Sequence, residues 1–443
     1  SAKDAYVKRY SDAFGRVFDN EEIVYYRHTS VGKVLLPGVF AGVGLAVDDA
    51  GDEDEKDPAK FRALDTENIT PQILAIIRHL AWEHKQKYGK VPFAIVSADG
   101  DADRPALFYV KKDADTEDGM EIEYIPGDKL GVLACLFLRP DFVAAPYTAN
   151  DFALARLKAD DIKAEVVRPL VGSPYCIDKL QGARSAHNKT LFFEVNGGMG
   201  TDSVWDIKAA IKVALGKDMG GNLAALPTRD SALPLISALL MAKKYGSVQA
   251  LAENTFTGPY AGFTQSGLVE DKNRDVDPVF ALYTPAIGKA IFESLSPSDK
   301  TITEVTFVDG TIRCLKAGVS VAADPKTETE MKGVVSRLKQ YFTDERGFGD
   351  VVKLFFAADN GTLVYFSNNI RVTLRPSGNA AQFRFQTLAP TQAMADGIVG
   401  MKFDIMKGII GSVTGKAEAA PVASVSVSPK ISAVAGNVPL EIT

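Results

Sequence analysis

Two consecutive α/β domains followed by an α+β domain are the architecture the sequence predicts. Strand-like apolar runs alternate with helical periodicity through the first 265 residues, and a second unit of the same kind begins near Gly127. From about Asp271 the chain turns to β-rich segments around Asp309-Gly310 and Asn360-Gly361, both hairpin signals. Domains are therefore expected at 1–128, 129–265 and 266–414, with 415–443, rich in Ala, Val, Ser and Pro without period, as a flexible tail.

In the first domain a helix over 5–18 leads to a strand over 23–26 and a helical pattern over 31–40. Residues 48–57 read as a solvated acidic loop, and 70–88 as a clear helix before the strand that ends at Ala98. The second domain reads as a helix over 130–138, a strand over 141–146, a helix over 150–158 and extended chain over 164–168. A strand over 190–193 follows, and residues 226–231 cap a helix over 232–244. In the third domain an amphipathic helix spans 328–342, and strands over 370–374 and 382–386, the latter carrying Arg384, flank a polar loop. Both α/β units deliver polar residues at strand ends, where open α/β sheets bind ligands.

The 443 residues suffice for two to four domains, and 46% hydrophobic with 24% charged residues is the balance of a soluble globular protein. A net charge of −6 disfavours a nucleic-acid or anionic-membrane surface, while leaving room for a local basic pocket. Cys135, Cys176 and Cys314 are far apart in apolar contexts, as buried thiols in a reducing compartment would be. Four histidines make no His/Cys metal cluster, no apolar run reaches membrane-spanning length, and no signal-peptide pattern opens the chain. A soluble cytoplasmic protein is expected; the start at Ser1 keeps a processed organellar one as the alternative.

The most informative stretch is 91–105, where an apolar strand ends in Asp99, Asp101 and Asp103. Alternate carboxylates after a strand, with Gly100 allowing a sharp turn, can converge on one hard cation and suit Mg²⁺. An EF-hand fails, because its sixth and twelfth positions hold Arg104 and Val110 in place of Gly and Glu. A solvated acidic turn is the remaining alternative, against which Arg104 stands as a guanidinium suited to a phosphate bridging to the cation.

Six segments, in order, resemble motifs of the α-D-phosphohexomutase superfamily, most closely its bacterial phosphomannomutase/phosphoglucomutase type. They are Tyr26-Arg27-His28-Thr29-Ser30-Val31, Asp99 to Pro105, Gly172-Ser173-Pro174-Tyr175, Glu194-Val195-Asn196-Gly197-Gly198, Leu226-Pro227-Thr228-Arg229-Asp230 and Leu374 to Ala380. The resemblance implies phosphohexomutase-type domains and interconversion of hexose 1- and 6-phosphates by phosphoryl transfer. It makes Asp99, Asp101 and Asp103 Mg²⁺ ligands and places Arg104 beside the phosphoryl group. By the same resemblance Glu194, Asn196 and Gly197 form the sugar loop, with Gly172 and Ser173 nearby, and Arg375, Ser377, Gly378 and Asn379 cradle phosphate. Plain turns are the alternative for both the Asn196-Gly197 and the Arg375–Gly378 segments, and His28 is expected to be structural.

The phosphoserine of that family sits in a Thr/Ala-Ser-His-Asn-Pro loop of a first domain, and here the resemblance to the second domain starts almost at Ser1. The nearest string, Ser185-Ala186-His187-Asn188, lies in the second α/β unit with Ala in place of His and no following Pro, and is read as coincidence. The chain is therefore expected to be inactive alone, its phosphoserine domain coming from a longer or separate polypeptide. The alternative is a non-enzymatic sugar-phosphate binder or structural subunit of a larger assembly. Residues 314–351 read as an insertion, either a partner surface or a surface excursion.

Overall fold

The first α/β repeat runs α1 (Ala2–Phe14), β1 (Glu22–Tyr26), α2 (Leu36–Gly42), β2 (Ala46–Ala50), α3 (Pro71–Tyr88), β3 (Ala94–Ala98), β4 (Pro105–Lys111) and β5 (Glu121–Ile125). This is a computed structural model, and it describes residues 2–51, 64–111, 119–159, 162–358, 361–376 and 382–415. The helix α3 begins where the Thr70 side chain accepts from the Ile73 amide and Pro71 needs no partner, and it stops at left-handed Gly89. The pattern over 31–40 is broken: Ser30 caps a 3₁₀ turn over Val31–Val34, and α2 starts afresh with Pro37 in its first turn. Asp48 and Asp49, read as loop, lie in β2, whose parallel pairing with β1 matches Tyr25 to Asp49; the rest of that acidic segment, from residue 52, lies outside the described residues.

The second repeat continues through α4 (Gly127–Leu138), β6 (Phe142–Ala144), α5 (Asp151–Ala155), β7 (Glu165–Val167), α6 (Ser173–Ala183), β8 (Thr190–Phe193) and β9 (Met199–Thr201). A two-residue pair, β10 (Trp205–Asp206) and β11 (Asn222–Leu223), frames α7 (Ile207–Leu215). Then come β12 (Leu226–Asp230), α8 (Ala232–Tyr245) and α9 (Val248–Thr255). The segment 226–231 is thus an edge strand where a helix cap was expected. Ser231 makes no capping bond; the Asp230 carboxylate takes the Ala232 amide instead.

The two sheets share one plan, with strand orders β2-β1-β3-β4-β5 and β7-β6-β8-β9-β12. In each, the first three strands are parallel and the last two antiparallel. The turn from the third parallel strand into its antiparallel neighbour is β3→β4 in one and β8→β9 in the other. These two turns carry the Asp cluster and Glu194-Val195-Asn196-Gly197-Gly198.

Both repeats belong to one compact unit, residues 1–264, separate from a second, 265–443. Every residue of α4 is buried, packed against α8, which buries Ala232 to Ala242. Burial on every side marks a core helix, and in α4 it also takes in Asp128 and Lys129 of the first turn. Gly131 is required there, because a Cβ would stand 2.4 Å from the Phe193 ring. Cys135 and Cys176 are buried free thiols in this unit.

The second unit holds β13 (Phe263–Glu270), α10 (Pro285–Leu295), β14 (Ile302–Val308), β15 (Thr311–Lys316), β16 (Val319–Ala322), α11 (Pro325–Tyr341), β17 (Val351–Phe356), β18 (Thr362–Phe366), β19 (Arg371–Pro376), β20 (Gln382–Ala389), α12 (Gln392–Gly400) and α13 (Lys402–Thr414). Its sheet runs β13-β20-β19-β18-β17-β14-β15-β16. Residues 271–295, expected as β-rich, are 3₁₀ turns and α10. The Asp309-Gly310 hairpin forms with both residues left-handed, at φ 47° and 75°. Cys314 is buried in β15. Asn360 and the tail from 416 lie outside the described residues. Among the described residues no helix is long and apolar enough to cross a membrane.

Candidate functional site

The β3→β4 turn is held from outside by its carbonyls. His28 Nε2 contacts Ala98 O at 2.5 Å, Ser30 Oγ donates to Asp99 O at 2.5 Å, the Val31 amide to Gly100 O at 2.9 Å, and Ser231 Oγ to Ala102 O at 2.8 Å. Inside the turn, Asp99 Oδ1 accepts from the amides of Asp103 and Arg104 at 3.2 and 3.1 Å. The residue that reverses the chain is Ala102, left-handed at φ 64°, and not Gly100, which has open space around it. A non-glycine residue in that region stores backbone strain, a common feature of functional loops.

So held, Asp99, Asp101 and Asp103 each offer a carboxylate oxygen, all within 4.8 Å of one another. Burial pushes Asp99 up to about 7, helped by its hydrogen bond to Asp101, whose own pKa that bond lowers. Burial also raises Asp103, against the opposing charge of Arg229. Asp103 Oδ1 is buried with no hydrogen-bond partner. Crowded anionic oxygens, one of them an unmet acceptor, fit a small hard cation. Arg104 Nε lies 3.5 Å from Asp99 and 3.8 Å from Asp103. Burial works against its charge, but Asp99, Glu67, Asp103 and Asp101 outweigh it, so its pKa is raised.

In the β8→β9 turn the Glu194 amide donates to Gly198 O at 3.0 Å and the Gly197 amide to Glu194 O at 2.9 Å, with Gly197 at φ 88°. Asn196 spends its Oδ1 on the Gly198 amide at 3.0 Å, and Thr66 Oγ1 fixes Asn196 O at 3.0 Å. Glu194 is buried, and burial raises its pKa. Its Oε2 has no hydrogen-bond partner. Gly172 and Ser173 start α6, which packs on β8; Cys176 in that helix has a pKa raised by burial and by the Glu194 charge.

Arg229, quoted in a motif but given no role by the sequence, joins these two turns. Its Nη2 lies 2.5 Å from Asp103 Oδ2 and its Nη1 3.6 Å from Glu194 Oε2. Asp230 beside it accepts hydrogen bonds from Tyr6, at 2.5 Å, and from buried Tyr10 of α1. The signal available beforehand was a charged pair inside an otherwise extended segment between two buried elements.

In the second unit Arg375, at the end of β19, stands directly opposite Arg384 of β20. Tyr283 donates to Gln382 O at 3.1 Å, and Gly288 of α10 leaves room for Pro376, bracing both arms of this loop. Ser377, Gly378 and Asn379 lie outside the described residues. Ser185 falls in the turn after α6, where His187 Nε2 is 3.1 Å from Glu165 and the Asn188 amide donates to Asp141.

No protein-family model matches the chain. It is 32% identical over 246 residues to a phosphomannomutase of Sinorhizobium fredii, covering 54% of this chain and 44% of that protein. It is 31% identical over 270 residues to a phosphomannomutase of Salmonella muenchen, covering 60% and 47%. The matches thus span about half the length of these relatives. Among solved structures, a protein of Thermus thermophilus provisionally assigned as a phosphomannomutase superposes with a TM-score of 0.52 at 12% identity, over 92% of this chain and 66% of that one. A lower likeness, TM-score 0.48 at 15% identity, is to Aspergillus fumigatus N-acetylphosphoglucosamine mutase in complex with GlcNAc-6P and magnesium, over 91% and 70%. The chain is thus similar to phosphomannomutases over about half of their length, and its fold is of the phosphohexomutase type.

Proposed function

We propose that this chain binds a hexose phosphate together with Mg²⁺ in a phosphohexomutase-type reaction, the interconversion of hexose 1- and 6-phosphates by phosphoryl transfer. The observation that carries the reading is the Arg229 bridge, which sets an oxygen-only cation loop beside a buried Glu194 whose Oε2 has no hydrogen-bond partner. Asp99, Asp101 and Asp103 would hold the cation, which when bound neutralises phosphoryl charge. Arg104 would orient a phosphoryl oxygen, and Glu194, helped by the Asn196–Gly197 turn and the start of α6 at Gly172 and Ser173, would accept from sugar hydroxyls. In the second unit, Arg375 with Ser377, Gly378 and Asn379 would bind phosphate.

No Thr/Ala-Ser-His-Asn-Pro string occurs in the 443 residues, and in the nearest one His187 is engaged by Glu165. Transfer needs a phosphoryl donor that positioning cannot replace, so binding without turnover is the behaviour proposed for these residues by themselves. The test is conversion of mannose and glucose 1-phosphates with Mg²⁺ and hexose bisphosphate, with and without a phosphoserine-bearing domain added in trans. Turnover only with the added domain supports the reading. Turnover by the purified chain, abolished by Ser185→Ala, refutes the dismissal of that string. Hexose-phosphate binding with no turnover in either arm favours the non-enzymatic binder.

A further inference from the structure

We infer that Arg229 is a positioning residue that changes partner as the site fills: it neutralises Asp103 while the cation is absent and is released toward Glu194 and an incoming phosphate when Asp103 turns to a cation. This rests on the proposed cation and sugar-phosphate reading of the same two turns.

Three features of the first unit support the exchange. The guanidinium is unequally placed, at 2.5 Å from Asp103 and 3.6 Å from Glu194, and Glu194 Oε2 has no hydrogen-bond partner. A second position, nearer Glu194, is therefore chemically prepared but only partly taken. Next, the segment that carries Arg229 is anchored at its ends: β12 pairs with β9 at Leu226 and Asp230, the Asp230 carboxylate accepts from Tyr6 and Tyr10, and Ser231 Oγ donates to Ala102 O. With these ends held, the exchange needs only a side-chain movement. Finally, its stem crosses Gly198, where a Cβ would stand 2.8 Å from Arg229 Cδ and 3.1 Å from Asp103 O. The glycine keeps a channel for that stem between the two turns.

A cation and a guanidinium compete for the same carboxylate, so the exchange makes Arg229 oppose cation binding and makes cation binding favour an anionic ligand. A guanidinium that stays on Asp103 also opposes the cation through its charge, but its removal would leave the effect of the anionic ligand on the cation unchanged. The coupling therefore separates the two roles.

The experiment titrates Mn²⁺ into the full chain and into Arg229→Gln and Arg229→Lys, then repeats each titration with saturating glucose 1-phosphate. Arg229→Gln is expected to bind Mn²⁺ about fivefold tighter or more than the parent, with Arg229→Lys in between. Glucose 1-phosphate should tighten Mn²⁺ binding in the parent and do so less in Arg229→Gln. Parent binding with Mn²⁺ affinity unchanged or weakened in Arg229→Gln, or with the glucose 1-phosphate effect undiminished there, overturns the exchange alone. Absence of Mn²⁺ binding to the parent overturns the cation site and the exchange with it.

Discussion

Gly127→Ala is the substitution whose effect follows most directly from distances. A Cβ on this first residue of α4 would lie 2.2 Å from Gly197 N, 2.4 Å from Asn196 C and 2.4 Å from Val195 O, all of them backbone atoms. Ordinary contact begins near 3.4 Å, so α4 and the Glu194 turn must separate by roughly an ångström, and neither is free to yield. The helix is buried along its whole length, and the turn is fixed by Thr66 and by its own two amide bonds. Overpacking of this kind costs about 1–3 kcal/mol, and a displacement of about 1 Å in a positioning loop can cost a hundredfold in function. Calorimetric unfolding should show a loss of stability. Isothermal titration should show glucose 1-phosphate affinity reduced about tenfold or more. The control is Gly182→Ala in α6, where a Cβ meets nothing within 4 Å and a gain of about 0.5–1 kcal/mol is expected. Parent-like stability and sugar-phosphate affinity in Gly127→Ala would refute the argument.

Three further outcomes are expected. Burial holds the Lys129 ammonium down to about 8 from 10.5, with its Nζ 5.1 Å from the Phe256 ring centroid. The folded chain therefore binds fewer protons than the unfolded one between those values, and its stability rises with pH across that window; Lys129→Met should raise the melting temperature at pH 7 and flatten this rise, seen by scanning calorimetry across pH 7–10. Ala102→Val places a β-branched residue at φ 64° and should cost about 1–3 kcal/mol and weaken Mn²⁺ binding, measured by denaturant unfolding and titration. Tyr10→Phe removes a buried donor from Asp230 and should cost about 1–3 kcal/mol in urea unfolding.

Much of the fold was legible because the first unit repeats one plan. Strands such as 190–193 are continuous apolar runs, α3 carries a Thr-Pro start and a Gly stop, and both ligand turns interrupt apolar runs with polar residues. What escaped was mostly at sheet edges. β2 carries Asp48 and Asp49, and β12 carries Pro227 and Arg229; edge strands tolerate charge and proline, so their residues read as loop. The helices α12 and α13 were hidden by glycines at 397, 400, 408 and 411 that blur helical periodicity. At the site, the three aspartates were visible as a local pattern, whereas Arg229 was not, since its partners lie 126 and 35 residues away in sequence. Turn chemistry misled once: the eye goes to Gly100, while tertiary anchors on four carbonyls let Ala102 take the left-handed position.

Mn²⁺ titration of the full chain beside Asp101→Ala shows whether the β3→β4 turn is a cation site that serves the neighbouring Glu194 turn. Asp101 is the exposed member of the triad, so its truncation leaves the buried anchoring by Asp99 in place and the fold intact. A cation site there binds one Mn²⁺ per parent chain, displaced by Mg²⁺, with affinity reduced about tenfold or more in Asp101→Ala. Equal Mn²⁺ affinity in the two proteins, or no saturable binding to the parent, would contradict it.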